Sequence, residues 1–221
     1  ACGLGKALMG SLIAEVLSAS SIVIGVPSIY LQGQMVREVA RVFPQAQVEL
    51  IGGRNGTTKP AVIKKFLADW ELCNKKQNIV IITTYDSAHV LAKVAGDIGF
   101  QFDFKIGDEA HHLVAHGNET EFSSQSYIKF HDIPSQKTLY MTATPKFYMP
   151  RIVSLEDTNQ SASEYVIYSM NDECRFGKCL DTKPVRWAIE NGKITDYRVF
   201  VLYNTITEVE EIIRRFKLMV K

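Results

Sequence analysis

The sequence predicts an α/β fold with a mainly parallel sheet. Short apolar runs at 21–26, 48–51, 79–82, 102–106 and 138–141 alternate with segments of helical periodicity. The strongest runs are apolar throughout, as strands buried on both faces are. At 221 residues and 46% hydrophobic content, the chain is long enough for one good-sized core plus an appendage.

Behind a glycine-rich opening, Leu8, Leu12, Ile13, Val16 and Leu17 recur at helical spacing. Residues 21–26 read as a buried strand closed by Pro27, and 28–42 as a helix with Ser28 as its N-cap. Residues 48–51 form a short strand ending in Gly52-Gly53. An amphipathic helix over 60–73 turns Val62, Ile63, Phe66, Leu67 and Trp70 inward. Lys59, Lys64, Lys65, Lys75 and Lys76 lie in or beside it, and a solvated helix face is the simpler reading of them. The strand 79–82 leads into Thr83-Thr84-Tyr85, and Asp86 or Ser87 caps a helix with body 88–95. A polar loop at 115–125 and a short helix at 126–131 separate the last two strands.

The composition changes after Pro150. Strands are expected at 165–170 and 197–203, a short helix at 184–190, and an amphipathic helix at 207–220. The expected organisation is one lobe over 1–150 and, over 151–221, a connector with the start of a second lobe.

Charged residues make up 22% of the chain and the formal net charge is +1, so any grip on a polyanion must come from a local surface. No apolar run approaches the roughly 18 residues that span a bilayer, so no membrane role is expected. Cys2, Cys73, Cys174 and Cys179 contain no C-x-x-C pair. Reduced thiols in a cytoplasm are the simpler reading, and Cys174 with Cys179 falls short of the four ligands of a structural zinc site.

The most informative residues are Asp108-Glu109-Ala110-His111, at the tip of the run 102–106. An acidic pair there is costly to place unless it holds a metal or positions water. The chain opens with Gly3-Leu4-Gly5-Lys6-Ala7, a glycine turn running into a helix. Such a turn aims backbone N–H groups and a helix N-terminus at phosphates, and the lysine supplies charge. Met141-Thr142-Ala143-Thr144-Pro145 follows another apolar stretch. Taken in this order, the three segments resemble the first motor lobe of superfamily 2 helicases and translocases, up to about residue 150. The stretches 169–173, 176–177, 188–190 and 194–197 resemble the connector of the branch near restriction-type translocases.

The resemblance implies a RecA-like P-loop NTPase lobe with helices on both faces of its sheet, and ATP and Mg²⁺ as cofactors. Gly3, Leu4, Gly5, Lys6 and Ala7 would then cradle the phosphates, Asp108 would hold Mg²⁺ and Glu109 would orient and deprotonate the attacking water. Lys6, Asp108 and Glu109 are the expected catalytic set, and His111 would face the second lobe and couple the γ-phosphate to motor closure. Thr142 and Thr144 would couple nucleotide state to the nucleic-acid track. Pro27, Ser28 and Gln32 match one strand-binding motif and Thr83, Thr84 and Tyr85 another, with Gly53 and Arg54 joining the same face. Hydroxyls, amides and helix N-termini suit phosphate oxygens and carry no sequence information. The expected partners are nucleic acid, DNA before RNA, and a second motor lobe of the same polypeptide.

One position departs from the pattern: the family has Thr or Ser where this chain has Ala7. A methyl cannot ligate Mg²⁺, and the lost contact costs on the order of 1–3 kcal/mol. A lobe that binds nucleic acid or partners without hydrolysis is therefore one rival reading. A duplex translocase that does not separate strands is another. The resemblance further implies a strand before the phosphate loop, central in the sheet. Without it the chain alone is expected to turn over little ATP, and its buried strands to lack ladder partners.

Overall fold

The computed structural model describes residues 5–73, 77–118, 125–148 and 165–196. The expectations for Gly3, Leu4, Lys75, Lys76, 197–203 and 207–220 lie outside the described residues. Five strands form one parallel sheet: β1 (Ser21–Val26), β2 (Gln47–Ile51), β3 (Ile79–Thr84), β4 (Phe102–Asp108) and, after the short β5 (Ala115–Asn118), β6 (Ser135–Met141). Their order is β2-β3-β1-β4-β6. The predicted class, α/β with helices on both faces, is the one observed.

The helices follow from the same alternation. Helix α1 (Lys6–Val16) and α2 (Ile29–Val42) cover one face, where Ala14, Met35 and Val39 meet Ile22, Ile24, Val80, Ile82 and Ile106. Helices α3 (Pro60–Leu72) and α4 (Ala88–Ile98) cover the other, with Ile63, Leu67, Trp70 and Leu91 against Val23, Ile79, Ile81 and Phe102. Successive strand residues point to opposite faces, so β1 feeds both cores and has to be apolar throughout. Ser28 does cap α2, accepting a hydrogen bond from the Leu31 N–H at 3.3 Å.

Several local expectations change. Val62 is 44% exposed, because α3 buries only the narrow stripe Ile63, Leu67 and Trp70. Neither Asp86 nor Ser87 caps α4 through its side chain: a 3₁₀ turn, Tyr85–Ser87, runs straight into the helix and holds Ser87 in helical geometry. Strand β6 is longer than the apolar run that announced it. Gln136, Lys137 and Thr138 are exposed on a strand that ends the described sheet, where polar residues are tolerated. The described sheet has no gap in its middle. Strands β3, β1 and β4 each have ladder partners on both sides, and β2 and β6 on one side each.

Part of the polar loop expected at 115–125 is instead β5, which pairs antiparallel with β7 (Tyr165–Tyr168). Its partner is remote in sequence, so no local pattern announced it. Beyond β7 the short helix α5 (Glu173–Phe176) begins at Asp172, whose carboxylate accepts from the Cys174 N–H at 3.0 Å. Phe176 inserts beside His131 and Tyr140, with ring centroids 5.0 and 5.2 Å away. Strand β7 and Phe176 thus pack on β5, His131 and Tyr140. Helix α6 (Val185–Glu190) follows. Among the described residues, no helix is long and apolar enough to cross a membrane, and no three His, Cys, Asp or Glu side chains gather in a metal-binding group.

Candidate functional site

Three chain segments converge at the carboxyl edge of the sheet. Gly5 stands at φ 71°, ψ 31°, in the left-handed region, and turns the chain directly into α1. Gly10 lets the helix lie close: a Cβ there would come within 2.9 Å of the Met141 side chain and 3.4 Å of that of Ile106. The first turn of α1, with the N–H groups that every helix leaves unpaired, thus sits near the ends of β4 and β6.

Asp108 ends β4, and Glu109 turns the chain sharply at φ 49°, ψ 48°. The left-handed region is unfavourable for a residue with a Cβ. That turn brings the Glu109 carboxylate to Lys6, with Nζ 3.6 Å from Oε1. On its other side, His111 Nδ1 lies 3.4 Å from Oε2, and the Thr142 hydroxyl donates to the same oxygen at 3.5 Å. His111 Nδ1 also lies 2.8 Å from Thr142 Oγ1 and 3.3 Å from Thr144 Oγ1. The Thr144 N–H donates to the Thr142 hydroxyl at 3.0 Å. Lys6, Glu109, His111, Thr142 and Thr144 therefore form one connected group.

Asp108 differs from Glu109. It is 7% exposed, and its Oδ1 has no hydrogen-bond partner. Burial raises its pKa, the neighbouring Glu109 charge adds to that, and the Glu109 N–H and Lys6 oppose it. Burial lowers the pKa of His111, and His112 lowers it further while Glu109 raises it. His112 is held down first by burial and then by Lys146. Both rings therefore lean towards the neutral form, and they lie 4.3 Å apart. The site combines a lysine, an αL-held carboxylate, a buried carboxylate with a free oxygen and a helix N-terminus, a set suited to a phosphate chain with a divalent cation.

The residues expected to face nucleic acid divide in two. Ser28, Gly53 and Arg54 are exposed and Pro27 is half-buried, all at the carboxyl edge. Gln32 is buried, and its amide donates to the carbonyls of Ile51 at 3.0 Å and Ile82 at 2.9 Å, tying the ends of β2 and β3 together. Thr83, Thr84 and Tyr85 are also buried. The Thr83 hydroxyl donates to the Thr84 carbonyl at 3.0 Å, and the Tyr85 hydroxyl to the Asp108 carbonyl at 2.6 Å. Sequence position alone put all of these on the outer face; the side chains of these four are spent inside it. Sequence reasoning missed Lys105, buried on β4 and donating to the carbonyls of Phe130, His131 and Ile133. A lysine within an apolar strand run was the signal available.

Residues 1–147 match the family model described as type III restriction enzyme, res subunit. The chain belongs to the res-subunit family. The described fold is the RecA-like lobe of a superfamily 2 helicase of the restriction-enzyme branch. A solved structure, the ATP-dependent Type ISP restriction-modification enzyme LlaBIII bound to DNA, is similar at 27% identity and TM-score 0.69, over 88% of this chain and 14% of that one. A nuclease-deletion mutant of the Type ISP enzyme LlaGI, in complex with a DNA substrate mimic, has the same fold at 24% identity and TM-score 0.66, over 87% of this chain and 18% of that one. This res-subunit chain thus spans less than a fifth of either structure's length. Comparison with curated proteins gives no match.

Proposed function

We propose that this chain is the ATP-binding lobe of a DNA translocase motor. The observation that carries the reading is the pairing of Asp108, buried with a free oxygen, with Glu109, held within 3.6 Å of Lys6 at the N-terminus of α1. The donors fit Mg²⁺·ATP, one ligand short: the Asp108 oxygen is available, and Ala7 offers no hydroxyl. Bound there, Mg²⁺ would neutralise charge on the phosphates. Lys6 would bind phosphate oxygens and release Glu109 as it did so. Glu109, held by Thr142 and His111, would take the proton of the attacking water. Gly3, Leu4 and Ala7 contribute backbone to the phosphate loop in this reading.

DNA would run along the carboxyl edge over Ser28, Gly53 and Arg54, contacted through its backbone. Movement requires a second lobe that closes on nucleotide and reopens. The relatives are restriction–modification enzymes, which favours translocation along duplex DNA over strand separation. Ala7 favours a second reading, a lobe that captures nucleotide or DNA without hydrolysis.

The test is binding of a fluorescent ATP analogue with Mg²⁺, with Lys6→Ala as control and folding checked by circular dichroism. Binding lost in the control supports the first reading, and no binding by a folded chain overturns it. Gain of turnover in Ala7→Thr separates hydrolysis weakened by the missing hydroxyl from a lobe that never hydrolyses.

A further inference from the structure

Tyr85 follows the last residue of β3, on the edge proposed to carry DNA, yet its side chain points the other way. The ring is 2% exposed and fills the space above Gly25, where a Cβ would lie 2.5 Å from the Tyr85 ring and 2.4 Å from that of Phe130. Phe130 packs edge-on to it, with centroids 5.2 Å apart. The ring is thus closely packed on both sides. Its hydroxyl donates to the Asp108 carbonyl at 2.6 Å. That carbonyl belongs to the peptide joining Asp108 to Glu109, the peptide that enters the left-handed turn.

We infer that Tyr85 is a positioning residue: its hydroxyl ties the β3–α4 edge to the Asp108–Glu109 peptide and so links DNA on that edge to the aim of the Glu109 carboxylate. The inference rests on the proposed function. The edge is built to transmit a push. Gly52 lies close beside the segment that carries Tyr85: a Cβ on it would lie 2.3 Å from the Ser87 hydroxyl and 2.7 Å from that of Thr84. Arg54 and Gly53 stand exposed beside Gly52. A phosphate drawn onto this loop or onto the start of α4 shifts the turn Tyr85–Ser87. The Tyr85 hydroxyl carries that shift to the Asp108 carbonyl. Rotation of the Asp108–Glu109 peptide redirects a carboxylate that Lys6 meets at one oxygen and His111 and Thr142 at the other. Binding linkage is reciprocal, so nucleotide at Lys6 must change DNA affinity by the same factor.

The experiment measures the affinity of the full chain for a non-hydrolysable fluorescent ATP analogue with Mg²⁺, with and without a saturating 30-base-pair duplex. Turnover is not required. The expected wild-type result is a change of about fivefold or more on adding duplex. In Tyr85→Phe, which keeps the ring and removes only the hydroxyl, the ratio of the two affinities should fall below about twofold. Phe130→Leu loosens the same packing and keeps the hydroxyl. It should lower the melting temperature and retain the wild-type ratio. The inference is overturned if Tyr85→Phe keeps the wild-type ratio, or if Phe130→Leu loses as much as Tyr85→Phe does. It is also overturned, with the nucleotide-site reading left standing, if the wild-type chain binds both ligands with no change in affinity. A folded wild-type chain that binds neither ligand removes the proposed function, and this inference with it.

Discussion

Lys105 and Asp108 lie on the same strand, 4% and 7% exposed, and the fold treats them in opposite ways. Lys105 Nζ meets three carbonyl oxygens, those of Ile133 at 2.8 Å, His131 at 2.9 Å and Phe130 at 3.4 Å, which matches its donors one for one. Burial lowers its pKa to about 8, with Asp132 opposing. Asp108 keeps an oxygen without any protein partner. The contrast teaches how to separate architecture from function within one strand. A buried ion with every bond made holds the fold together. A buried ion with an unused acceptor marks a place where something else is meant to bind.

The sharpest way to break this comparison is to attack the chemistry beside Asp108. Glu109→Gln is expected to lower ATP turnover about 100-fold or more in the protein with both lobes, while analogue binding persists. Phosphate-release kinetics measure it, and turnover at the wild-type rate would leave the acidic edge without a reactive role. Lys105→Met should act on the fold instead. It leaves three carbonyls, two of them buried and one half-buried, without their donor, costing about 2–4 kcal/mol and lowering the melting temperature by roughly 6–12 °C. Analogue affinity should be unchanged once the chain is folded. A normal melting curve for this variant would dissolve the distinction.

His131 sharpens the comparison through pH. Its carbonyl is one of the three that hold Lys105, and its ring lies against Tyr140, Tyr168 and Phe176. Burial first, then Arg175 and Lys105, lower its pKa from 6.5 to about 4. As pH falls, the unfolded chain takes up this proton before the folded chain does. The contribution to stability is therefore complete above about pH 6.5 and is lost progressively towards about pH 4, reaching about 2 kcal/mol by pH 5. Urea midpoints at pH 7 and pH 5 measure it, and His131→Gln should flatten the difference. The smallest effect belongs to Asp108→Asn. Removing a buried charge whose pKa is already raised should slightly stabilise the ligand-free chain while weakening Mg²⁺-dependent nucleotide binding. A loss of stability in that variant would mean that Asp108 is structural after all.

Much of the fold was legible because each signal was local. Strand β1 was read with its observed limits because both of its faces are buried, and α2 because Ser28 caps a well-formed amphipathic repeat. What stayed hidden depended on distant partners. Strand β5 exists through β7, and Phe176 finds its place only between His131 and Tyr140. The candidate site was legible in the same proportion. Its order along the chain located Lys6, Asp108, Glu109, His111 and the two threonines, and the fold gathers them at one edge. Side-chain direction was not legible at that edge, where Gln32 and Tyr85 turn inward to bind carbonyls. A motif fixes which backbone lies at a strand end, and packing decides which way each side chain points.

The left-handed backbone at Glu109 bears on how this lobe responds to selection. Holding a glutamate at φ 49° costs about 1 kcal/mol, a cost that glycine would avoid and asparagine would reduce. A lineage that no longer used the carboxylate would gain stability by drifting to either residue, with no loss to set against it. A glutamate where the backbone opposes it fits the reactive role proposed for that carboxylate. Under the proposed function, activity and robustness are set against each other at residue 109, and stability screens that ignore turnover should select glycine there.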